Sequence, residues 1–341
     1  MRYKILALFI LSAAFCGINA YAGIACMLCV VAFALFILMN LLFKLTHSYN
    51  NNYVYTGQFV SNMGYRKNLN RNLEIVNVGS NPARFAFFYE NIKGVNWSTG
   101  TQGLDMDLEI LKYYHSYIKE GGYVLLPIVA FSSVSAYIGT DSTDISYYAK
   151  FFSIIWNHPG IDRQLYKKAK RWMKYPLCHN PKLAFKLVHD VEKDDRLQIC
   201  EQQLCKTELV EDAGWWMDCW KKEFDIKDFN APLSGDLSEA RKKTVAMFRE
   251  ILDFVIERGY KPVIISPPVA KELCELFIPQ IKEIYVDSFV REFKDYDVPY
   301  LDYIYDERFS DSSLYFNSLF MNLRGRKLFT NDVLNRLGLD R

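Results

Sequence analysis

The feature that most constrains this chain is an N-terminal stretch without any charged side chain, which runs from Ile5 to Phe43. A helix made of these 39 residues would be roughly 58 Å long, at about 1.5 Å per residue. The hydrocarbon core of a bilayer is only about 30 Å thick. One span cannot use the whole stretch. The uncharged stretch therefore predicts either two short membrane spans or a signal sequence followed by a single span.

The break in this stretch falls between Gly17 and Gly23, where Asn19 and the two glycines weaken a helix. We expect a helical hairpin in residues 1–46, with spans near 5–20 and 24–43. Residues 20–22 (Ala-Tyr-Ala) also have the small-x-small form of a signal-peptidase site, so a cleaved signal or signal-anchor remains open. A pair of buried core helices in a soluble protein is disfavoured, because these runs have no polar face.

Positive charges flank the proposed hairpin at Arg2, Lys4 and Lys44, and the short loop inside it has none. By the positive-inside rule, both ends of the hairpin are then cytoplasmic. The sequence thus predicts an integral protein of the cell membrane, with a cytoplasmic location slightly favoured for the domain that follows. Cleavage after Ala22 would leave one span whose orientation this rule does not determine.

Composition excludes several other classes of protein. With 41 Lys+Arg against 39 Asp+Glu, the net charge of +2 does not fit a protein that coats nucleic acid, and 50% apolar residues exclude a disordered chain. Five of the eight cysteines follow the apolar stretch, and no two of these five have Cys-x-x-Cys spacing. These cysteines exclude a complete disulfide framework and argue against a zinc site, so we expect neither a metal nor a cofactor.

The rest of the chain alternates between strand and helix patterns. Residues 47–72 are polar and predict a connector to an α/β domain over 73–341. Apolar runs predict strands at 73–78, 94–97, 123–129, 261–266 and 299–303. Helical patterns lie at 83–91, 104–120, 237–258, 270–293 and 325–337. This order predicts a three-layer α/β/α fold with a parallel sheet, of the flavodoxin-like kind, interrupted by an insertion at about 133–234.

In an open parallel sheet, ligands bind beyond the carboxyl ends of the strands. Ser80 follows the first predicted strand and begins a helix, where backbone N–H groups and the helix dipole can stabilise an oxyanion. It is therefore the best candidate nucleophile. The alternative is structural: Gly79 makes the turn, and Ser80 or Asn81 caps the helix. From the local pattern alone, this alternative is favoured.

Three blocks of sequence resemble the SGNH/GDSL hydrolase superfamily, and especially its membrane-anchored branch with the DltD-like proteins and the acyltransferase-like proteins of alginate acetylation. The blocks are residues 77–81 (NVGSN), 96–103 (NWSTGTQG), and 302–303 with 316–330. The resemblance implies that Ser80 is the nucleophile. It also implies that Asn81, Gly100 and Gln102 contribute to an oxyanion hole or binding site.

The last block departs from the family pattern at the catalytic Asp and His, which fall on Asn317 and Phe320. A phenylalanine cannot accept a proton, and a serine hydroxyl needs an adjacent base to become a useful nucleophile. No histidine follows His189, and the asparagine of the family's third block is also missing. A histidine of the insertion, which contains His158, His179 and His189, could still reach Ser80.

Two aromatic and basic stretches lie in the insertion. Residues 215–222 (WWMDCWKK) can stack on sugars or touch a membrane, although a packed helix face is the favoured interpretation. Residues 167–175 (KKAKRWMKY) can bind anionic lipid headgroups or a phosphate-bearing polymer, or can simply form a solvated helix face.

Three functions remain open. The first is a membrane-anchored SGNH-like protein of cell-envelope polysaccharide or teichoic-acid metabolism, with a degenerate triad and a non-hydrolytic binding or acyl-transfer role. Its expected partners are the lipid bilayer, a cell-envelope glycan or acyl carrier, and a membrane acyltransferase. The second is an active serine esterase or O-acyltransferase that uses Ser80 with a non-standard base. The third is a structural scaffold subunit.

Overall fold

A computed structural model of the chain describes residues 20–50, 71–100, 102–129, 131–135, 162–189 and 204–339. Almost all of the predicted first span, most of the connector and two parts of the insertion lie outside these ranges. The hairpin and the signal-peptide alternative therefore remain predictions.

Five strands form a single sheet in which every pairing is parallel, in the order β2-β1-β3-β4-β5. The strands are β1 Leu73–Asn77, β2 Gly94–Asn96, β3 Ile118–Pro127, β4 Lys261–Ser266 and β5 Tyr300–Asp302. The predicted α/β class with a parallel sheet is confirmed.

Helices occupy most of the remaining described residues. The α-helices are α1 Ala20–Phe43, α2 His47–Asn50, α3 Asn81–Arg84, α4 Leu104–Tyr114, α5 Arg163–Lys174, α6 Pro176–His179, α7 Lys206–Glu223, α8 Gly235–Glu257, α9 Lys271–Leu276, α10 Pro279–Lys282, α11 Ser288–Val290 and α12 Leu323–Arg336. A π-helical turn spans Glu283–Asp287. Short 3₁₀ turns lie at His115–Tyr117, Ser132–Val134, Pro181–Leu187, Arg291–Tyr296, Glu307–Phe309 and Ser312–Leu314.

Three predicted helix boundaries are wrong. The helix predicted over 83–91 stops at Arg84, because the side chain of Asn96 hydrogen-bonds to the carbonyls of Ala83, Arg84 and Phe87. The helix predicted to reach residue 120 ends at Tyr114. After one 3₁₀ turn the chain enters β3 early, since Ile118 pairs with Leu73 of β1. The predicted helix 270–293 is divided, and Pro279 begins a new segment.

The sheet buries apolar side chains in two separate clusters. Leu125, Val263 and Ile265 belong to the cluster that also contains Phe329 and Val333 of α12. Their neighbours along the strands belong to the other cluster, with apolar residues of α4 and α8. Because successive side chains of a strand point to opposite faces, this alternation matches a sheet that is buried on both sides.

Helix α1 corresponds to the predicted second span. It has 24 residues, and its most apolar part has a mean hydropathy of 2.8, which makes it long and apolar enough to cross a membrane. Only 11% of its most apolar part is buried, so it does not resemble the core helix of a soluble domain. A signal sequence near an N-terminus has the same length and composition.

Candidate functional site

The turn after β1 explains why glycine precedes the candidate nucleophile. Gly79 has φ +119°, a region that side chains other than glycine rarely adopt, and a Cβ there would lie 2.9 Å from Cβ of Ala83. Ser80 follows at the N-cap position of α3, but its side chain makes no capping hydrogen bond. Its hydroxyl also bonds to no other described residue. The structural alternative, in which Ser80 serves as a cap, does not account for this hydroxyl.

Buried amides hold the carboxyl ends of β1 and β2 together. Asn77 Nδ2 donates to Asn96 Oδ1 at 2.9 Å and to Ser98 Oγ at 2.7 Å, and Tyr89 donates its hydroxyl proton to Asn77 Oδ1 at 3.0 Å. Asn77, Asn96 and Ser98 are fully buried. Because a buried polar group is costly without a partner, this network sets the geometry of both loops.

The second sequence block lies directly beside the first. The Thr99 N–H donates to the Gly79 carbonyl at 3.2 Å. A Cβ on Gly100 would lie 2.9 Å from Asn81 Oδ1, so the absence of a side chain permits this approach. The two segments that sequence analysis assigned to one sheet edge are therefore in contact.

Asp107, in the first turn of α4, was missed by sequence analysis. Its Oδ1 accepts hydrogen bonds from the Gly79 N–H at 2.9 Å and from Gln102 Nε2 at 2.6 Å. Asp107 is only 4% exposed, and its Oδ2 bonds to no described residue. Burial raises the pKa of its carboxyl from 3.8 to about 7, against the lowering effect of these two hydrogen bonds.

Asp107 should make stability depend on pH. Because its pKa is higher in the folded than in the unfolded protein, folding favours the protonated form. The free energy of unfolding should fall as pH rises from about 4 to about 7 and should level off above that. We expect Asp107→Asn to remove about 2 kcal/mol of this change in the free energy of unfolding. The loss is not larger because the positive end of the α4 dipole favours the carboxylate form.

Thermal unfolding of both proteins at several pH values measures this difference. Asp218→Asn, at an exposed position of α7, is the matched control and should follow the wild type. If stability changed with pH in the same way in wild type and in Asp107→Asn, the prediction of a raised pKa for the Asp107 carboxyl would be contradicted.

A pocket of about 260 Å³ opens at this edge of the sheet. Its lining includes Ser80, Asn81, Gln102 and Phe320, so four of the six residues proposed from the sequence meet there. Gly100 and Asn317 are not among the lining residues. Asn317 instead accepts hydrogen bonds from the N–H groups of Leu319 and Phe320 through its Oδ1, at 3.1 and 2.7 Å, and so holds a turn.

Phe320 occupies the pocket as part of an aromatic cluster. Its ring lies 5.1 Å from Phe85, 5.7 Å from Phe316 and 5.4 Å from Trp216, and it is 8% exposed. Such distances are typical of packed aromatic pairs. A hydrophobic ring therefore lies in the same pocket as the Ser80 hydroxyl.

The described part of the chain contributes no histidine, lysine or arginine to the lining of this pocket. His115 lies elsewhere, with Nδ1 3.4 Å from the Tyr260 hydroxyl, and His189 is exposed. His158 and the side chain of His179 lie outside the described residues. The prediction that a histidine of the insertion reaches Ser80 remains open for these two alone.

Helix α7 brings the insertion to the pocket. Trp216, Trp220 and Glu223 all line it, while Trp215 is 56% exposed. Asp212 of the same helix accepts hydrogen bonds from the N–H and the hydroxyl of Ser318, beside Phe320. The favoured interpretation of this stretch as a packed helix face holds for Trp220, but Trp216 and Glu223 also face the candidate site.

Glu223 is the second carboxylate that sequence analysis missed. It lies at the end of α7 and remains exposed, and partial burial raises the pKa of its carboxyl. The pocket thus combines two carboxylates, three serine hydroxyls and several aromatic rings. No helical pattern predicts that Glu223 and Ser80 meet, since 143 positions of sequence separate them.

Phe131, which is separated from the end of β3 by three residues, also lines the pocket. It is fully buried and has φ +63°, which is rare for a bulky side chain. Such backbone conformations concentrate at functional sites. Its ring packs 4.9 Å from Trp220 and links β3 to the insertion helix.

No model of a protein family matches this chain, and a search of curated proteins finds no similar sequence.

Proposed function

We propose that this chain is a membrane-anchored, SGNH-like protein of cell-envelope polysaccharide or teichoic-acid metabolism, with a three-layer α/β/α domain. Its role is to bind a ligand, or to assist acyl transfer, without hydrolysing esters itself. The observation that carries the proposal is the shared pocket of Ser80 and Phe320, because a phenylalanine ring cannot act as the general base that a serine nucleophile needs. Helix α1 is the membrane anchor in this proposal.

The topology of the sheet supports a ligand site at this place. In the order β2-β1-β3-β4-β5, the chain continues on the other side of β1 after β2, so the strand order reverses at β1. Ligands of open parallel sheets bind at such a switch point, beyond the carboxyl ends of the strands. The pocket lies at the end of β1 and is lined by residues that follow β1 and β3.

The chemistry of the lining supports a glycan as the ligand. The rings of Trp216 and Trp220 can stack on the apolar face of a sugar, and the carboxylates of Asp107 and Glu223 can accept its hydroxyl protons. The buried indole N–H of Trp216 has no hydrogen-bond partner in the described part of the chain, so it is free to donate to a ligand oxygen.

One observation favours the alternative of an active serine esterase or O-acyltransferase. Glu223 comes from the insertion and lines the same pocket as Ser80, and its carboxyl has a raised pKa. A carboxylate of this kind can act as the non-standard general base. This alternative requires Glu223 to come within hydrogen-bond reach of the Ser80 hydroxyl.

The proposal predicts that Ser80 has the reactivity of an ordinary alcohol. General-base assistance typically contributes about 10²–10⁴-fold in rate, and Phe320 contributes none. Simple aryl esters should therefore be hydrolysed no faster by wild type than by Ser80→Ala, and a fluorophosphonate probe should not label Ser80. Rapid hydrolysis that Ser80→Ala abolishes would contradict this, and its loss in Glu223→Gln would identify the base.

The converse experiment tests the register of the final block. Combining Asn317→Asp with Phe320→His restores both triad groups, and the aspartate can keep the two backbone hydrogen bonds that Asn317 accepts. We expect this double variant to gain fluorophosphonate labelling, and Ser80→Ala in the same background to lose it. Absence of labelling in the folded double variant would contradict the assignment of Phe320 to the histidine position.

A further inference from the structure

Helix α5 of the insertion has one strongly basic face. Lys167, Lys170, Arg171 and Lys174 recur at spacings of three and four residues, which places them on one side of a helix, and all four are exposed. None of them forms an ion pair with a described residue. Asp162, which caps the helix, is the only acidic residue in the described segment 162–189.

The side of α5 that carries Leu165 and Tyr166 packs into the domain. Tyr166 is 8% exposed and belongs to the core cluster that also contains Phe131 and Trp220 of the pocket. Leu165 is half-buried against the same cluster. Helix α5 therefore has a fixed inner face, and no carboxylate in the described part of the chain pairs with its basic face, although the Lys174 ammonium lies 5.2 Å from the ring centroid of Tyr175.

The segment after α5 attaches to the C-terminal end of α1. The Leu177 N–H donates to Asn40 Oδ1 at 3.0 Å, and Leu177 packs with the fully buried Phe43. Asn40 lies about one helical turn before the end of α1. Burial lowers the pKa of Lys44, and the positive charge of Lys174 lowers it further. Lys174, at the end of α5, is therefore close to Lys44, which directly follows α1.

These contacts bring the basic face close to the membrane surface if α1 spans the bilayer. Lys174 is three residues from Leu177, and three residues of chain reach at most about 11 Å. This upper limit is comparable to the Debye length of about 8 Å at physiological ionic strength, so charges at this end of α5 act on lipid headgroups with only partial screening. Leu45, Phe185 and Val188 are each at least 75% exposed in the same part of the protein, as expected for apolar side chains that enter a membrane interface.

We propose that the basic face of α5 binds anionic lipid headgroups, and so holds the domain against the membrane with its pocket in a defined orientation. The inference rests on the membrane anchor of the proposed function, but not on the reactivity of Ser80. Each basic residue near an anionic surface strengthens the attraction by about fivefold, so the four together form a substantial site. Their common face and the short link to α1 favour lipid over a soluble polymer.

The test uses the full chain in lipid nanodiscs of phosphatidylcholine that contain a minor fraction of phosphatidylglycerol. Mass spectrometry measures how much phosphatidylglycerol stays with the protein after detergent extraction, relative to the bulk lipid. We expect wild type to be enriched several-fold. The variant Lys167→Gln, Lys170→Gln, Arg171→Gln, Lys174→Gln should show no enrichment, and high salt should reduce the enrichment of wild type.

A matched control removes four exposed lysines from other helices: Lys206→Gln, Lys222→Gln, Lys243→Gln, Lys271→Gln. It should keep the enrichment of wild type. Equal enrichment in wild type and in the α5 variant, both folded by circular dichroism, would overturn the proposal. So would binding of soluble poly(glycerol phosphate) without lipid enrichment, which would identify a polymer site. If wild type does not remain in nanodiscs at all, the membrane anchor fails together with this inference.

Discussion

Replacing Gly325 by alanine should lower the free energy of unfolding by about 3 kcal/mol or more. A Cβ at this position would lie 2.1 Å from the backbone carbonyl oxygen of Leu314, far inside any normal contact. The same carbonyl accepts a hydrogen bond from the Asn322 N–H at 2.9 Å, and Asn322 caps α12 through the Gly325 N–H. The loop cannot move away without breaking these bonds, because backbone lies on both sides of the contact.

Thermal unfolding of the purified protein in detergent, followed by circular dichroism, measures this loss. Gly235→Ala is the matched control, since Gly235 also lies in the first turns of a helix and a Cβ there meets nothing within 4 Å. Its melting temperature should stay within a degree or two of wild type, or rise slightly, because alanine favours helix. A Gly325→Ala variant with the same melting temperature as the control would contradict the close packing of Gly325 against the Leu314 carbonyl.

Replacing Asn96 by alanine should lower the free energy of unfolding by about 3–4 kcal/mol. Its Nδ2 approaches the carbonyls of Ala83, Arg84 and Phe87 at 3.2–3.3 Å, and its Oδ1 accepts from Asn77 and from the Ser98 N–H at 2.9 Å. Alanine would leave several of these buried groups without a partner. The loss should also loosen the loop beside Ser80, since the same bonds hold both strand ends.

Asn331→Ala provides the comparison, because Asn331 is an exposed residue of α12 without a described side-chain hydrogen bond. It should leave the melting temperature unchanged or slightly higher, as alanine is the better helix former. Asn96→Asp would add a second test, since it keeps the acceptor but loses the donor and buries a charge. A stable Asn96→Ala variant would mean that water replaces the amide in this network.

Two of the three wrong boundaries share one physical cause. The pattern at 83–91 has apolar residues suited to a helix, but Asn96 reaches back from another strand and binds the carbonyls that would continue it. Likewise, Ile118 pairs with Leu73 of β1 instead of extending α4. In both places a partner distant in sequence satisfies the backbone, and tertiary contacts of this kind override local propensity.

The candidate site also contains residues that the sequence predicts and residues that only the tertiary structure places there. That Ser80 and the 96–103 loop meet follows from the sequence, because parallel strands carry the loops after their carboxyl ends to one edge. The carboxylates of Asp107 and Glu223 could not be assigned to this site in advance, since each lies in an ordinary helical pattern. Asn317, which its position in the last block assigns to the triad, accepts two backbone hydrogen bonds in a turn and is not among the pocket-lining residues.

The sequence alone determined the apolar helix at the N-terminus and the parallel α/β class, because both depend on the spacing of apolar side chains along a short stretch. It also determined that Gly79 must form the turn before Ser80, since only a residue without Cβ fits that conformation. Tertiary structure alone decided what surrounds the Ser80 hydroxyl. The rings of Phe320 and Trp216 and the carboxylates of Asp107 and Glu223 come from three distant segments. Their meeting depends on how helices pack on the sheet, and no local pattern encodes that packing.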